Sequence, residues 1–180
     1  MKISVYYKGL HWPHLLFFTL TPLVAIASGF WIGLNGGFHW GTVLLALAML
    51  IFCGLSTTGG YHRLFAHKSY RAKWPVRLFF LLFGAAAFQG SARWWASGHR
   101  IHHKKTDTEQ DPYGINKGFW FAHIGWLFTK DQEAPCDNVA DLDKDFLIRW
   151  QARLFPLLAV GIGWFLPGVV ASFWGDFWGG

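Results

Sequence analysis

Apolar residues run almost unbroken through the first third of the chain, and between Gly9 and Tyr61 there is no Asp, Glu, Lys or Arg. About 20 apolar residues cross the hydrocarbon layer of a bilayer. The run therefore predicts two membrane-spanning helices, over residues 12–34 and 40–58, joined by the uncharged turn Asn35-Gly36-Gly37. So short a connection predicts an antiparallel hairpin. Trp12 and Trp31 stand where interfacial anchors belong. Ala25-Ile26-Ala27 has the small-residue spacing of a signal-peptide cleavage site, but apolar character continues to Leu34, beyond a usual signal core.

Charge returns abruptly with Arg63, Lys68, Arg71, Lys73, Arg77, Arg93, Arg100, Lys104, Lys105, Lys117 and Lys130. The positive-inside bias assigns this stretch, and the N-terminus with Lys2 and Lys8, to the cytoplasmic side. Within it "VRLFFLLFGAAAFQ" (76–89) is too short to span and reads as an interfacial or re-entrant helix. "FWFAHIGWLF" (119–128) reads as a second element lying on the membrane. Residues 131–145 form an acidic polar loop expected to be solvated and without catalytic interest. A third crossing is predicted over 154–174, where Pro156 and Pro167 are tolerated if neighbours satisfy the freed carbonyls. The expected fold is an all-α integral membrane protein in one domain of residues 1–180. It has a transmembrane hairpin, cytoplasmic and interfacial helices over about 59–150, and a third span.

The net charge of +6 does not indicate nucleic acid, because the basic residues form no nucleic-acid-binding module. Cys53 and Cys136 lack a CxxC spacing, which argues against a disulfide scaffold or a thiolate metal site.

Five of the nine histidines fall in two short motifs, "YHRLFAH" (His62, His67) and "GHRIHH" (His99, His102, His103). Successive α-helical residues turn by about 100°. His99 and His103 are then about 40° apart and can face one metal ion, while His102 points about 100° from His103. His62 and His67 diverge by about 140° if their segment is α-helical. These angles predict two ions, with His62, His99 and His103 around one and His67 and His102 around the other. Imidazole suits zinc, copper, iron and nickel alike, and neither motif contains the carboxylate or thiolate that often completes a zinc site. Ionisable groups near membrane depth are costly and mark function. His11, His14, His39 and His123 read instead as ordinary polar side chains.

The wording "TTGGYHRLFAHKSY", "FQGSARWWASGHRIHH", "TDTEQDPY" and "GFWFAHIGW" resembles the membrane fatty acid desaturase family, particularly its Δ9 acyl-CoA branch and bacterial relatives. Its HxxxxH and HxxHH histidine boxes are both present, and the resemblance is strongest over residues 59–128. It implies a mushroom-like helical fold in which a cytoplasmic cap over two transmembrane hairpins holds two iron ions. The implied reaction uses O2 and two electrons to remove two hydrogens from an unactivated methylene pair of a fatty acyl substrate, acyl-CoA or lipid-linked. No carrier motif is fused to the chain, so the resemblance implies a separate electron donor of cytochrome b5, ferredoxin or rubredoxin type. It also implies a bacterial inner membrane with the metal site on the cytoplasmic side.

By position, Gln89 and Trp95 match residues that shape the bend of the acyl tunnel. Arg63 and Arg100 are expected to pair with carboxylates such as Asp107 or Asp111, or to contact phospholipid headgroups. Ser97 and Gly98 stand where the animal acyl-CoA enzymes carry an Arg-Asp pair that helps hold CoA, which opens lipid-linked acyl groups as substrates. The family also has a third HxxHH box and a His/Asn ligand motif, whereas no histidine follows His123 here. The expectation is a C-terminally truncated desaturase, inactive alone. The alternatives are a membrane di-iron hydroxylase and a non-catalytic metal- or lipid-binding membrane protein.

Overall fold

The computed structural model describes residues 9–37, 39–129 and 136–180. Every regular element among them is helical, and the only pairing of extended backbone is an isolated bridge between Leu10 and Thr129. The helices are α1 (Trp12–Leu34), α2 (Trp40–Leu55), α3 (Trp74–Ala86), α4 (Ala92–Lys105), α5 (Phe119–His123), α6 (Phe146–Val160) and α7 (Leu166–Ala171). π-helical segments, Ser56–Ala66 and Gly161–Phe165, extend α2 and join α6 to α7. Among the described residues, three continuous helices are long and apolar enough to cross a membrane: Trp12–Leu34, Trp40–Ala66 and Phe146–Trp174. The second continues past residue 58 and the third begins before 154, because polar residues join both spans without ending the helix.

α1 and α2 contain no buried residue, and side chains such as Ile26 and Phe30 are more than 70% exposed. Such surfaces suit a lipid surrounding, since water would oppose exposing so much apolar area.

The described residues divide into two compact units, one of residues 9–37 with 100–129 and one of 39–99 with 136–180. In the first, the end of the 119–128 element is stapled to the start of α1. The His11 N–H donates to the Phe128 carbonyl at 2.8 Å, and His14 Nδ1 lies 2.9 Å from the Leu127 carbonyl oxygen. These bonds and the α1 N-cap, where the His14 N–H donates to His11 Nδ1 at 3.3 Å, give both histidines structural partners.

The second unit has its core around Tyr61, Phe65, Leu81, Ala96, Leu142 and Ile148. Gly60 and Gly84 let the π-helical segment lie directly on α3. A Cβ on Gly60 would stand 2.6 Å from Phe80 Cβ, and one on Gly84 would overlap the Tyr61 ring. The acidic loop is not merely solvated. Asp143 accepts two bonds from the Arg93 guanidinium, at 2.5 and 2.9 Å, Asp141 pairs with Lys68 at 2.8 Å, and Asp145 pairs with Arg77. Asp145 also caps α6, accepting from the Leu147 and Ile148 N–H groups. The expected loop over 131–145 begins outside the described residues, and its described part acts as a strap.

At the other end of α2, the His39 ring accepts from the Gly41 N–H and stacks on Trp174 with centroids 5.9 Å apart. That too is a structural role.

Candidate metal centre

The first histidine motif does not sit on an α-helix. In Ser56–Ala66 the backbone bonds run from residue i+5 to residue i, and the His67 N–H donates to the His62 carbonyl at 3.0 Å. In that register residues five apart come round onto nearly one face. The His62 and His67 rings therefore meet, with centroids 4.6 Å apart at 78°. Lys68, with φ +53°, then turns the chain out of the helix. The Ser69 N–H and hydroxyl close the end by donating to the Arg63 carbonyl at 2.9 and 2.8 Å, as left-handed terminators do.

α4 brings His99 to this pair. The His99 ring centroid lies 4.6 Å from that of His62 and 5.0 Å from that of His67, at 73° and 85°. His67 Nε2 and His99 Nε2 are 3.0 Å apart. One ring nitrogen from each of the three lies within 4.8 Å of the others. Three nearly perpendicular imidazoles with converging nitrogens are a donor set suited to a transition-metal ion. His103 follows His99 by one turn of the same helix, so it projects from the same face. The expected division of ligands, with His67 apart from His62 and His99, does not describe the structure. The α-helical angle on which it rested is replaced by the π-helical one.

Trp95, one turn before His99, stacks on the His99 ring at 4.8 Å and 23° and meets His62 edge-on at 6.2 Å. Its indole N–H donates to Gln89 Oε1 at 3.3 Å. The two residues expected to shape an acyl path are thus bonded to each other, and one of them lies against the histidines.

His102 has a separate partner. Its Nδ1 lies 2.8 Å from Asp111 Oδ1, and the fully buried carboxylate also accepts from the Asp107 and Tyr113 N–H groups at 3.0 and 3.1 Å. Burial pushes the Asp111 carboxyl up, but His102 and those two N–H donors outweigh it and hold it below its ordinary value. Burial, and then the Asp111 charge, raises the Tyr113 phenol. A carboxylate on one nitrogen of a metal-binding imidazole fixes its tautomer and ring orientation. Sequence reasoning offered Asp111 to an arginine. The short "DTEQDPY" turn that returns this carboxylate to α4 carries no periodic signal.

His123, read from the sequence as an ordinary polar side chain, stacks on Phe119 with centroids 5.6 Å apart.

No family model matches the chain. Individual proteins do match. It is 36% identical over 184 residues to acyl-CoA desaturase 1 of Saccharomyces cerevisiae, an alignment that covers 99% of this chain and 35% of the yeast protein. It is 33% identical to an acyl-CoA Delta-9 desaturase of Acheta domesticus, over 76% of this chain and 40% of that protein. An acyl-CoA Delta12-desaturase of the same cricket is also 33% identical, over 92% and 47%. The chain belongs to the fatty acid desaturase family. It spans about a third to a half of the length of these desaturases. Relatives named for different double-bond positions match it equally well, so likeness to desaturases does not select a position.

Proposed function

We propose that this chain supplies metal-binding machinery of an oxygen-dependent desaturase acting on saturated acyl chains in a membrane. The observation that carries the reading is the convergence of His62, His67 and His99 at the end of a membrane-spanning helix. His62, His67, His99 and, by helix phase, His103 would hold one iron ion. His102, oriented by Asp111, would bind the second. Bound iron, with O2 and two electrons, supplies the oxidising power that an unactivated C–H bond requires.

The protein's own part is positioning. Asp111 keeps the His102 proton on Nδ1, so that Nε2 presents a lone pair. Trp95 has its polar N–H satisfied by Gln89 and offers an apolar indole wall to a chain that has no polar handles. With Gln89 it would place the reacting carbons beside the histidines, in a Δ9-type reaction on an acyl-CoA or lipid-linked substrate. A separate acidic electron carrier would dock on the basic face that holds Lys104, Lys105 and Lys117. The charge distribution supports a cytoplasmic metal site. The membrane we propose is the inner membrane of a bacterium, although the relatives named above are eukaryotic. Five imidazoles leave two ions short of full coordination, so the 180 residues alone would bind iron without turnover.

A chimaera tests the reading. These residues replace the aligned segment of the yeast acyl-CoA desaturase 1, and cellular fatty acids are analysed by gas chromatography–mass spectrometry. The expected result is a monounsaturated product that disappears on His67→Ala or His99→Ala. A hydroxylated product, or an unsaturated one that survives both substitutions, contradicts it.

A further inference from the structure

Gln151 is a fully buried amide on α6, a spanning helix that carries none of the histidines. Its Nε2 donates to the Tyr61 hydroxyl at 2.7 Å and to the Leu81 carbonyl at 3.4 Å, and its Oε1 accepts from the Ala92 N–H at 3.1 Å. Each partner has a specific place. Tyr61, itself fully buried, immediately precedes His62 in the π-helical segment. Ala92 is the first residue of α4, whose first-turn N–H groups have no partner within the helix. Leu81 lies on α3, between the two.

We infer that Gln151 is a positioning residue for the metal centre, setting the spacing between the segment that carries His62 and the helix that carries His99. The inference rests on the metal reading proposed above. An amide presents donors and acceptor at fixed angles in one plane. In a dry interior its bonds are strong, and leaving a partner unsatisfied is costly. One side chain bonded to both histidine-bearing segments therefore admits only a narrow range of separations between them. That separation is what lets the His62 and His99 rings stand 4.6 Å apart. Trp95 reinforces the same spacing, tilted against Tyr61 at 6.1 Å while stacked on His99.

The test uses the whole 180-residue chain in lipid nanodiscs, with cobalt(II) as a coloured probe of imidazole ligation. Dissociation constants and d–d spectra are measured beside thermal unfolding for the parent chain, Gln151→Leu, Gln151→Glu and the Tyr61→Phe/Gln151→Leu pair. Removing both members of a buried hydrogen bond restores stability that removing one member loses. The double variant should therefore melt closer to the parent than Gln151→Leu does. Its cobalt affinity should stay about ten-fold or more below the parent, the loss usual when groups supporting metal ligands are removed, with the altered spectrum retained. Gln151→Glu, which can still accept from Ala92 and Tyr61, should keep most of the affinity.

Recovery of cobalt affinity in step with melting temperature would mean that Gln151 is merely structural, and overturns the inference. So does a Gln151→Leu chain that binds cobalt with unchanged affinity and spectrum. If the parent chain binds no cobalt, the metal reading itself fails and this inference falls with it.

Discussion

His67 Nε2 and His99 Nε2 stand 3.0 Å apart although 32 residues separate them in sequence. One comes from the π-helical end of the second span and the other from the middle of α4. Two imidazole nitrogens this close either share a proton or aim both lone pairs at one cation. The nearby His62 ring favours the second arrangement.

His67→Ala and His99→Ala should therefore weaken binding of the same metal equivalent. His102→Ala should act on a different one, because its partner is Asp111. Metal analysis after dialysis against a graded chelator, run on the three single variants and the His67→Ala/His102→Ala pair, separates these outcomes. Additive losses are expected in the pair. If His67 and His102 served one ion, the second substitution would add little.

Asp111→Asn keeps the shape of the side chain but removes its charge. Metal affinity at His102 should fall by about 10–100-fold, as for other carboxylate–histidine–metal arrangements. The amide oxygen can still accept from one of the two N–H groups that the carboxylate's separate oxygens now serve, Tyr113 at Oδ1 and Asp107 at Oδ2, so the thermal midpoint should drop less than for Asp111→Ala. Metal titration and calorimetry on the two variants check both statements.

The distribution of histidines and the three apolar runs were legible in the sequence, because both are written in residue type and period. The pairing of His62 with His67 was not. A five-residue spacing points apart on an α-helix and together on a π-helix, and composition does not say which backbone register a segment adopts. Gly60 is the one local hint: it permits the close approach to Phe80 that accompanies the wider turn. The strap over residues 137–145 was hidden for another reason. Its aspartates read as solvated charge until Arg77, Arg93 and Lys68 arrive from distant parts of the chain.

Gly84→Ala should disturb the centre from a distance. The added methyl would overlap the Tyr61 ring and push the residue that precedes His62. Overpacking of this kind costs about 1–3 kcal/mol, and the expected readouts are a lower melting temperature and weaker metal binding. Gly33→Ala, where a Cβ meets open space, should change neither.

The strap should loosen in acid. The Arg93 guanidinium holds the Asp143 carboxyl below its ordinary value, chiefly through direct hydrogen bonds. A folded-state pKa depressed in this way adds stability that is present above the unfolded value, about 3.9. It is lost as pH falls through the folded one. The melting temperature of the parent chain should therefore decline more steeply below about pH 4 than that of Asp143→Asn, with the two curves parallel between pH 5 and 7. Equal slopes in the acid range would remove Asp143 from the account.

The most direct test of the central claim is X-ray absorption on the iron-loaded chain in nanodiscs. Imidazole gives characteristic outer-shell multiple scattering. A nitrogen-rich first shell with several imidazoles per bound iron is expected, diminished in both His67→Ala and His99→Ala. An oxygen-only shell without imidazole scattering, unchanged by either substitution, would contradict it.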